Sequence, residues 1–195
     1  MLLQLQKRKM AIAGVIMTTY LVFHLLLNLS FFPSQHFGAF YIGYADSPLR
    51  DVLLVVFILT LFVHIKVAIS LRIKNAQART ISYKKQDHLA ISASLVSLSV
   101  ALLFIFLIIH IVQMRLLTGA NIDSELHTLF QSGLMVLFYL AGLLFLFAHL
   151  SHALQNVLQT LGKTAKSYSL LIIISNILMF IGFAALPLSI YWTSS

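Results

Sequence analysis

No cysteine occurs anywhere in the 195 residues. The chain therefore cannot ligate an iron–sulfur cluster, cannot attach haem covalently through a C-x-x-C-H motif and cannot form a disulfide. Charge is nearly as scarce. Only 9% of the residues are charged against 60% hydrophobic, and the mean hydropathy is +0.96. A soluble domain of this size could not cover so apolar a composition with polar groups, so the bilayer is the solvent. Acidic residues are the rarer sign, 5 against 13 Lys and Arg, for a net charge of +8. The basic residues flank apolar stretches and form no separate patch, which argues against nucleic-acid binding.

What is present in quantity is apolar sequence of spanning length. Five stretches, at about 10–32, 52–71, 89–114, 129–155 and 168–192, each meet the ~20 residues needed to cross ~30 Å of hydrocarbon. The expectation is one all-α membrane domain over residues 1–195, with five transmembrane helices and almost nothing left for a soluble domain. The basic start Lys7-Arg8-Lys9 is followed by no small-residue cleavage site, and its apolar run is long enough to span, so no cleavable signal peptide is expected. Lys7, Arg8 and Lys9 precede the first span; Arg72, Lys74, Arg79, Lys84 and Lys85 follow the second; Lys163 and Lys166 follow the fourth. The other two connections hold only Arg50 and Arg115, beside Asp46, Asp51, Asp123 and Glu125. The positive-inside rule then places the N-terminus in the cytoplasm and the C-terminus outside.

Within this apolar background, His24, His64, His110 and His149 lie one each inside the first four spans. A buried polar group without a partner costs several kcal/mol in hydrocarbon, so four such rings are expected to share partners. The partner that best absorbs imidazole nitrogens in pairs is haem iron, and two pairs make two b haems. Depth sorts the pairs. His24 lies 15 residues after Lys9, ~22 Å above the inner surface, and His110 lies five before Arg115, within ~8 Å of the outer boundary. His64 lies eight residues before Arg72, ~12 Å from the inner charges, and His149 six before Gln155, ~9 Å from the inner boundary. An outer pair, His24 with His110, and an inner pair, His64 with His149, each join two helices of the same direction, as ligation across a four-helix core allows.

Small residues share these faces. Ala68 and Ala153 follow His64 and His149 by four, and Gly142 precedes His149 by seven, leaving room either for a flat macrocycle or for close helix packing. His152, three residues after His149, competes with it as a ligand, or bonds a propionate, a backbone carbonyl or Asn156. His36, His88 and His127 fall in loops or at boundaries and are read as solvated. Lys66 points away from the face of His64 and either snorkels inward or pairs with a propionate. The fifth span has no Asp, Glu, Lys, Arg or His; with only Asn176, Gly182 and Pro187 to mark it, it is expected to pack outside the haem core as one peripheral helix.

The segments resemble the five-helix, dihaem cytochrome b subunit of succinate dehydrogenases and quinol:fumarate reductases over nearly the whole chain. The first span reads Lys7-Arg8-Lys9, Ala13-Gly14-Val15-Ile16 and then His24-Leu-Leu-Leu-Asn28, similar to that family's basic start, L-G-V-I and H-L-x-x-N. His64 is followed by Lys74-Asn75 and Tyr83, the third span gives His110-x4-Arg115, and the fourth gives His149-x2-His152-Ala153-Leu154 and ends at Gly162. The family's fourth ligand precedes a G-L or G-F step by four residues. Ala153-Leu154 stands at that step here, which selects His149 over His152, with alanine replacing the glycine. Some dihaem relatives carry a buried carboxylate on this helix for proton return, whereas Leu129 to Gly162 holds no Asp or Glu.

The resemblance implies a membrane anchor and electron conduit in a prokaryotic cytoplasmic membrane. A flavoprotein subunit and an iron–sulfur subunit would dock on the cytoplasmic face and carry the dicarboxylate chemistry. Electrons would pass through the inner haem and the outer haem to a quinone, menaquinone or ubiquinone. A quinone carbonyl needs hydrogen-bond donors and its reduction needs protons, so the site is expected where apolar core meets water. Asn28, a turn beyond His24, and Arg115, little more than a turn beyond His110, are the expected polar groups there. The alternatives are that Asn28 bonds a neighbouring helix, that Arg115 meets a propionate or lipid phosphate, and that the quinone sits instead at the inner haem near Lys66 and Ser70. Two other functions compete: a dihaem cytochrome b of another quinone-linked dehydrogenase, such as a hydrogenase or formate dehydrogenase, and a transporter or proton channel built on a histidine relay.

The orientation is directly testable because no native thiol competes for label. A membrane-impermeant maleimide added to intact cells is expected to modify Thr118→Cys, and to reach Ser82→Cys only after permeabilisation. The reverse pattern would overturn the orientation.

Overall fold

The computed structural model describes residues 2–32, 39–77, 93–117, 122–160, 162 and 165–194. Every element among them is a helix: α1 (Leu2–Leu29), α2 (Ala39–Ala45), α3 (Pro48–Gln77), α4 (Ala93–Leu116), α5 (Ile122–Phe130), α6 (Gly133–Thr160) and α7 (Lys166–Ser194). Five of them, α1, α3, α4, α6 and α7, are long and apolar enough to cross a membrane.

The boundaries differ from the expected spans for local reasons. Helix α1 begins at Leu2, because Leu, Gln, Lys and Arg all favour helix and carry it past the apolar stretch. Helix α3 starts at Pro48, where a fixed φ and a missing N–H suit the first helical position, with Ser47 just before it. The expected fourth span from 129 is broken: the chain leaves helix at Gln131 and Ser132, and α6 restarts at Gly133. At its far end Gly162, with φ 74°, adopts the left-handed conformation that glycine tolerates just past a helix. Residues 89–92 of the expected third span lie outside the described residues.

Two short helices, α2 and α5, stand where the sequence suggested loops. Helix α5 carries Asp123 and Glu125 in its first turn, complementing the helix dipole, and buries Ile122, Leu126 and Phe130 at intervals of four. That face joins Phe31, Phe106, Val136, Tyr139, Leu186 and Ile190 in one apolar cluster that closes the end of the bundle opposite the N-terminus. His127, read as solvated, sits on α5 with its ring 6.3 Å from that of Phe31.

Helices α1 and α6 form the centre. Helix α1 packs against α3, α6 and α7, while α6 packs against α1, α4, α5 and α7. The antiparallel register of α1 on α3 is marked at both ends. Gln6 Nε2 donates to Ser70 Oγ at 3.5 Å and Lys74 Nζ donates to Gln6 Oε1 at 3.1 Å, while the Tyr20 and Phe57 rings meet at 5.0 Å. The intramembrane hydroxyls of Thr18 and Thr19 are satisfied locally by the carbonyls of Gly14 and Val15.

The fifth spanning helix is not peripheral. Helix α7 contacts α1, α5 and α6, and buries Ile172, Asn176, Met179, Phe183, Ala184, Leu186 and Ile190. Asn176 Nδ2 donates to Ser151 Oγ at 3.2 Å, tying α7 to α6. Gly182 permits its approach to α1, since an added Cβ would come within 2.7 Å of Leu25 Cδ1. By contrast α3, apart from its contact with α2, leans chiefly on α1 and leaves Val52, Val55, Leu59, Phe62 and Ile69 exposed to the surroundings.

Gly142 sets the spacing of α4 and α6. A Cβ there would overlap the Phe106 ring, so the room that glycine leaves is taken by Phe106 and serves close helix packing. Gly142→Ala is expected to lower the unfolding free energy by about 1–3 kcal/mol, the range for overpacking a filled core. Thermal or denaturant unfolding in detergent reads this directly, and an unchanged midpoint would show that Phe106 moves aside freely.

Candidate functional site

Four helices contribute one histidine each, and the fold sorts them into two pairs. His24 of α1 and His110 of α4 have ring centres 6.0 Å apart with planes at 57°. His64 of α3 and His149 of α6 have ring centres 6.2 Å apart with planes at 80°. These are the two pairs expected from depth, and they lie at different levels. Tyr139, which touches His110, stands ten residues before His149 on α6, so the levels are about 15 Å apart along the axis.

Aromatic rings and a polar chain hold the first pair. His24 stacks on Tyr20, four residues earlier on α1, at 6.0 Å and 13°, and meets Phe183 of α7 at 5.5 Å. His110 stacks on Phe106, four residues earlier on α4, at 5.8 Å and 18°. Its Nδ1 lies 3.4 Å from Tyr139 Oη; that hydroxyl donates to Gln113 Oε1 at 2.9 Å, and Gln113 Nε2 points at Met135 Sδ at 3.7 Å. Around the second pair, His64 Nδ1 is buried with no hydrogen-bond partner among the described residues. His149 is half-buried facing His64, while His152, three residues further on, is exposed.

These donors suit haem. An imidazole nitrogen lies roughly 1.1 Å from its ring centre and bonds a metal at about 2.0 Å, so one iron shared by two rings puts their centres about 6.2 Å apart. The observed 6.0 and 6.2 Å match that span. The orphaned His64 nitrogen is a buried polar atom in want of a partner, which an apolar bundle does not retain without reason. Among the described residues no group of three or more His, Cys, Asp or Glu could hold a bare ion. At each level the two facing histidines are the residues that would hold a haem.

The other expected residues fall as follows. Asn28 is half-buried in the last turn of α1, beyond His24. Arg115 is bound to Asp51 of α3, Nη1 to Oδ1 at 2.5 Å, with side chains 46% and 62% exposed. Lys66 is exposed, and Ser70 already accepts from Gln6. His36 and His88 lie outside the described residues. Sequence reasoning missed Tyr139, Gln113, Phe106, Tyr20 and Phe183. Gln113 carried a signal, being a polar residue inside an apolar span three positions after His110, hence on its face. Tyr20 and Phe106 each precede a histidine by four, which also puts them on the same face. Nothing local marks Tyr139 or Phe183, which arrive from other helices.

Comparison of the chain with protein-family models, with curated proteins and with solved structures gives no match in any of the three.

The Arg115–Asp51 pair links α4 to α3 at an exposed position, where screening by water and salt keeps ion pairs weak. A double-mutant cycle of Asp51→Asn and Arg115→Gln is expected to give a coupling below about 1 kcal/mol. A coupling well above that range would show that the pair is shielded from solvent.

Proposed function

We propose that this chain is the membrane-anchor cytochrome b subunit of a succinate:quinone oxidoreductase. It carries electrons between a flavoprotein and iron–sulfur pair and membrane quinone. The observation that carries this reading is the sorting of four intramembrane histidines, one per helix, into two facing pairs at two levels. His64 and His149 would hold one b haem, and His24 and His110 the other. When bound, haem supplies a one-electron carrier at each level, and ligation by two histidines keeps it low-spin and closed to oxygen.

The protein's own part is to hold these rings and exclude water from them. Residues 140–148 of α6, between the two levels, are Leu, Ala, Gly and Phe without a titratable group. Leu143, Leu150, Met179, Phe183 and Ala184 pack together beside them. Electrons tunnel through such a medium; protons, which need a chain of hydrogen-bonding groups, do not. That supports a conduit over a histidine relay. With the N-terminus in the cytoplasm, the His64–His149 pair faces the docked iron–sulfur subunit, and the His24–His110 pair lies toward the opposite surface. Quinone, menaquinone or ubiquinone, would bind beyond that second pair. Asn28 is the better-placed donor there, since Arg115 is already engaged by Asp51.

Purified protein from haem-replete cells is expected to be red, with reduced b-type bands from two haems per chain. His110→Ala and His149→Ala should each remove one haem and leave the other, while His152→Ala keeps both. A colourless preparation would overturn the haem reading, and loss of a haem from His152→Ala with both kept in His149→Ala would overturn the fourth ligand. Reduction of the bands by succinate, with flavoprotein and iron–sulfur subunits co-purifying, separates this reading from other quinone-linked dehydrogenases.

A further inference from the structure

The polar chain behind His110 has a direction. Tyr139 has a single hydroxyl proton, and Gln113 Oε1 takes it at 2.9 Å. The opposite amide orientation would turn the Gln113 carbonyl toward Met135 Sδ, setting an acceptor against an acceptor, so the network selects the arrangement with Nε2 at the sulfur. The Tyr139 oxygen therefore faces His110 Nδ1, at 3.4 Å, as an acceptor. Tyr139 is only 6% exposed, so its hydroxyl is shielded from the surroundings. Packing holds the phenol in place: its ring meets Phe130 at 4.9 Å and Phe106 at 5.6 Å, both edge-on. A ring whose Nδ1 donates must present Nε2 as its lone pair, and a ligand histidine whose other nitrogen donates a hydrogen bond becomes the more basic ligand.

We propose that Tyr139, oriented by Gln113, is a positioning residue for His110: it accepts the Nδ1 proton, fixes the tautomer that turns Nε2 to iron, and lowers the potential of the haem held by His24 and His110. The proposal rests on the haem reading above. It concerns that pair alone, because the His64–His149 pair lies at the other level, about 15 Å away along the axis.

The test is a redox titration of the purified complex, followed by optical and electron paramagnetic resonance spectra of each haem. Tyr139→Phe keeps the ring and removes the acceptor. Both haems are expected to remain, and the ratio of reduced to oxidised His24–His110 haem at a fixed ambient potential should rise about two- to tenfold, the worth of one hydrogen bond. The resonance signal of that haem should shift while the His64–His149 haem stays unchanged. Gln113→Leu should shift the same haem in the same direction by less, and the double variant should match Tyr139→Phe alone, because both act through one contact. Phe130→Leu, which loosens the phenol's packing without touching the hydroxyl, should lower stability and leave both potentials in place.

An unchanged potential in Tyr139→Phe with both haems bound overturns the proposal, as do fully additive shifts in the double variant. An equal shift from Phe130→Leu would reduce Tyr139 to a packing residue. Should Tyr139→Phe lose the haem, Gln113→Leu decides: a raised ratio supports the role and an unchanged one overturns it. Failure of the haem reading is seen earlier and separately, as unaltered protein without b-type bands.

Discussion

An imidazole in the middle of a bilayer has two nitrogens to satisfy and no water to satisfy them with. One such ring stands on each of α1, α3, α4 and α6, in a medium where lipid tails are as apolar as leucine and apolar surface alone gives helices little reason to associate. The rings meet in pairs at 6.0 and 6.2 Å, and each pair joins helices distant in sequence. Tyr20 and Phe106 stack on a histidine from one turn away on its own helix, and Phe183 and Tyr139 close in from α7 and α6.

Packing of this kind requires close approach at a few positions and bulk at others. Gly142 lets the Phe106 ring lie directly on α6, which brings α4 near enough for His110 to meet both His24 and Tyr139. The short helix α5 lays Ile122, Leu126 and Phe130 over the adjoining end of the bundle, in one apolar cluster with Phe106 and Tyr139. Helix α3 is held mostly by α1, so the His64–His149 contact bridges the less enclosed part of the structure.

The two imidazole pairs stand about 15 Å apart along the axis, and on α6 residues 140–148 between them are aliphatic and aromatic. Proton-bearing groups gather instead at the ends: Gln6, Ser70 and Lys74 at one, Arg115 and Asp51 at the other. The interior polar chain of Tyr139 and Gln113 stops at a thioether and leads nowhere. Its contacts are local, to His110 alone among the four paired histidines.

Much of this was legible in the sequence. The five spans followed from long apolar runs between charges, and the histidine pairing followed from counting rise along each helix from those charges, since depth is one-dimensional and a helix converts residue number into height. Rotation about the helix axis was not legible. In a soluble helix the apolar stripe marks the buried face, but here every face is apolar, and periodicity does not tell lipid from neighbour. For that reason the fifth span, with no Asp, Glu, Lys, Arg or His between 168 and 192, read as peripheral, although α7 buries Asn176 and Phe183 against α6 and His24. For the same reason Tyr139 looked like one more aromatic in an apolar run. The sequence by itself determined how many helices cross, how high each histidine stands and so which rings could meet. Only the tertiary structure decided which way each helix turns, because that depends on the fit of Gly142 to Phe106, Gly182 to Leu25 and Asn176 to Ser151, contacts between residues that no local pattern connects.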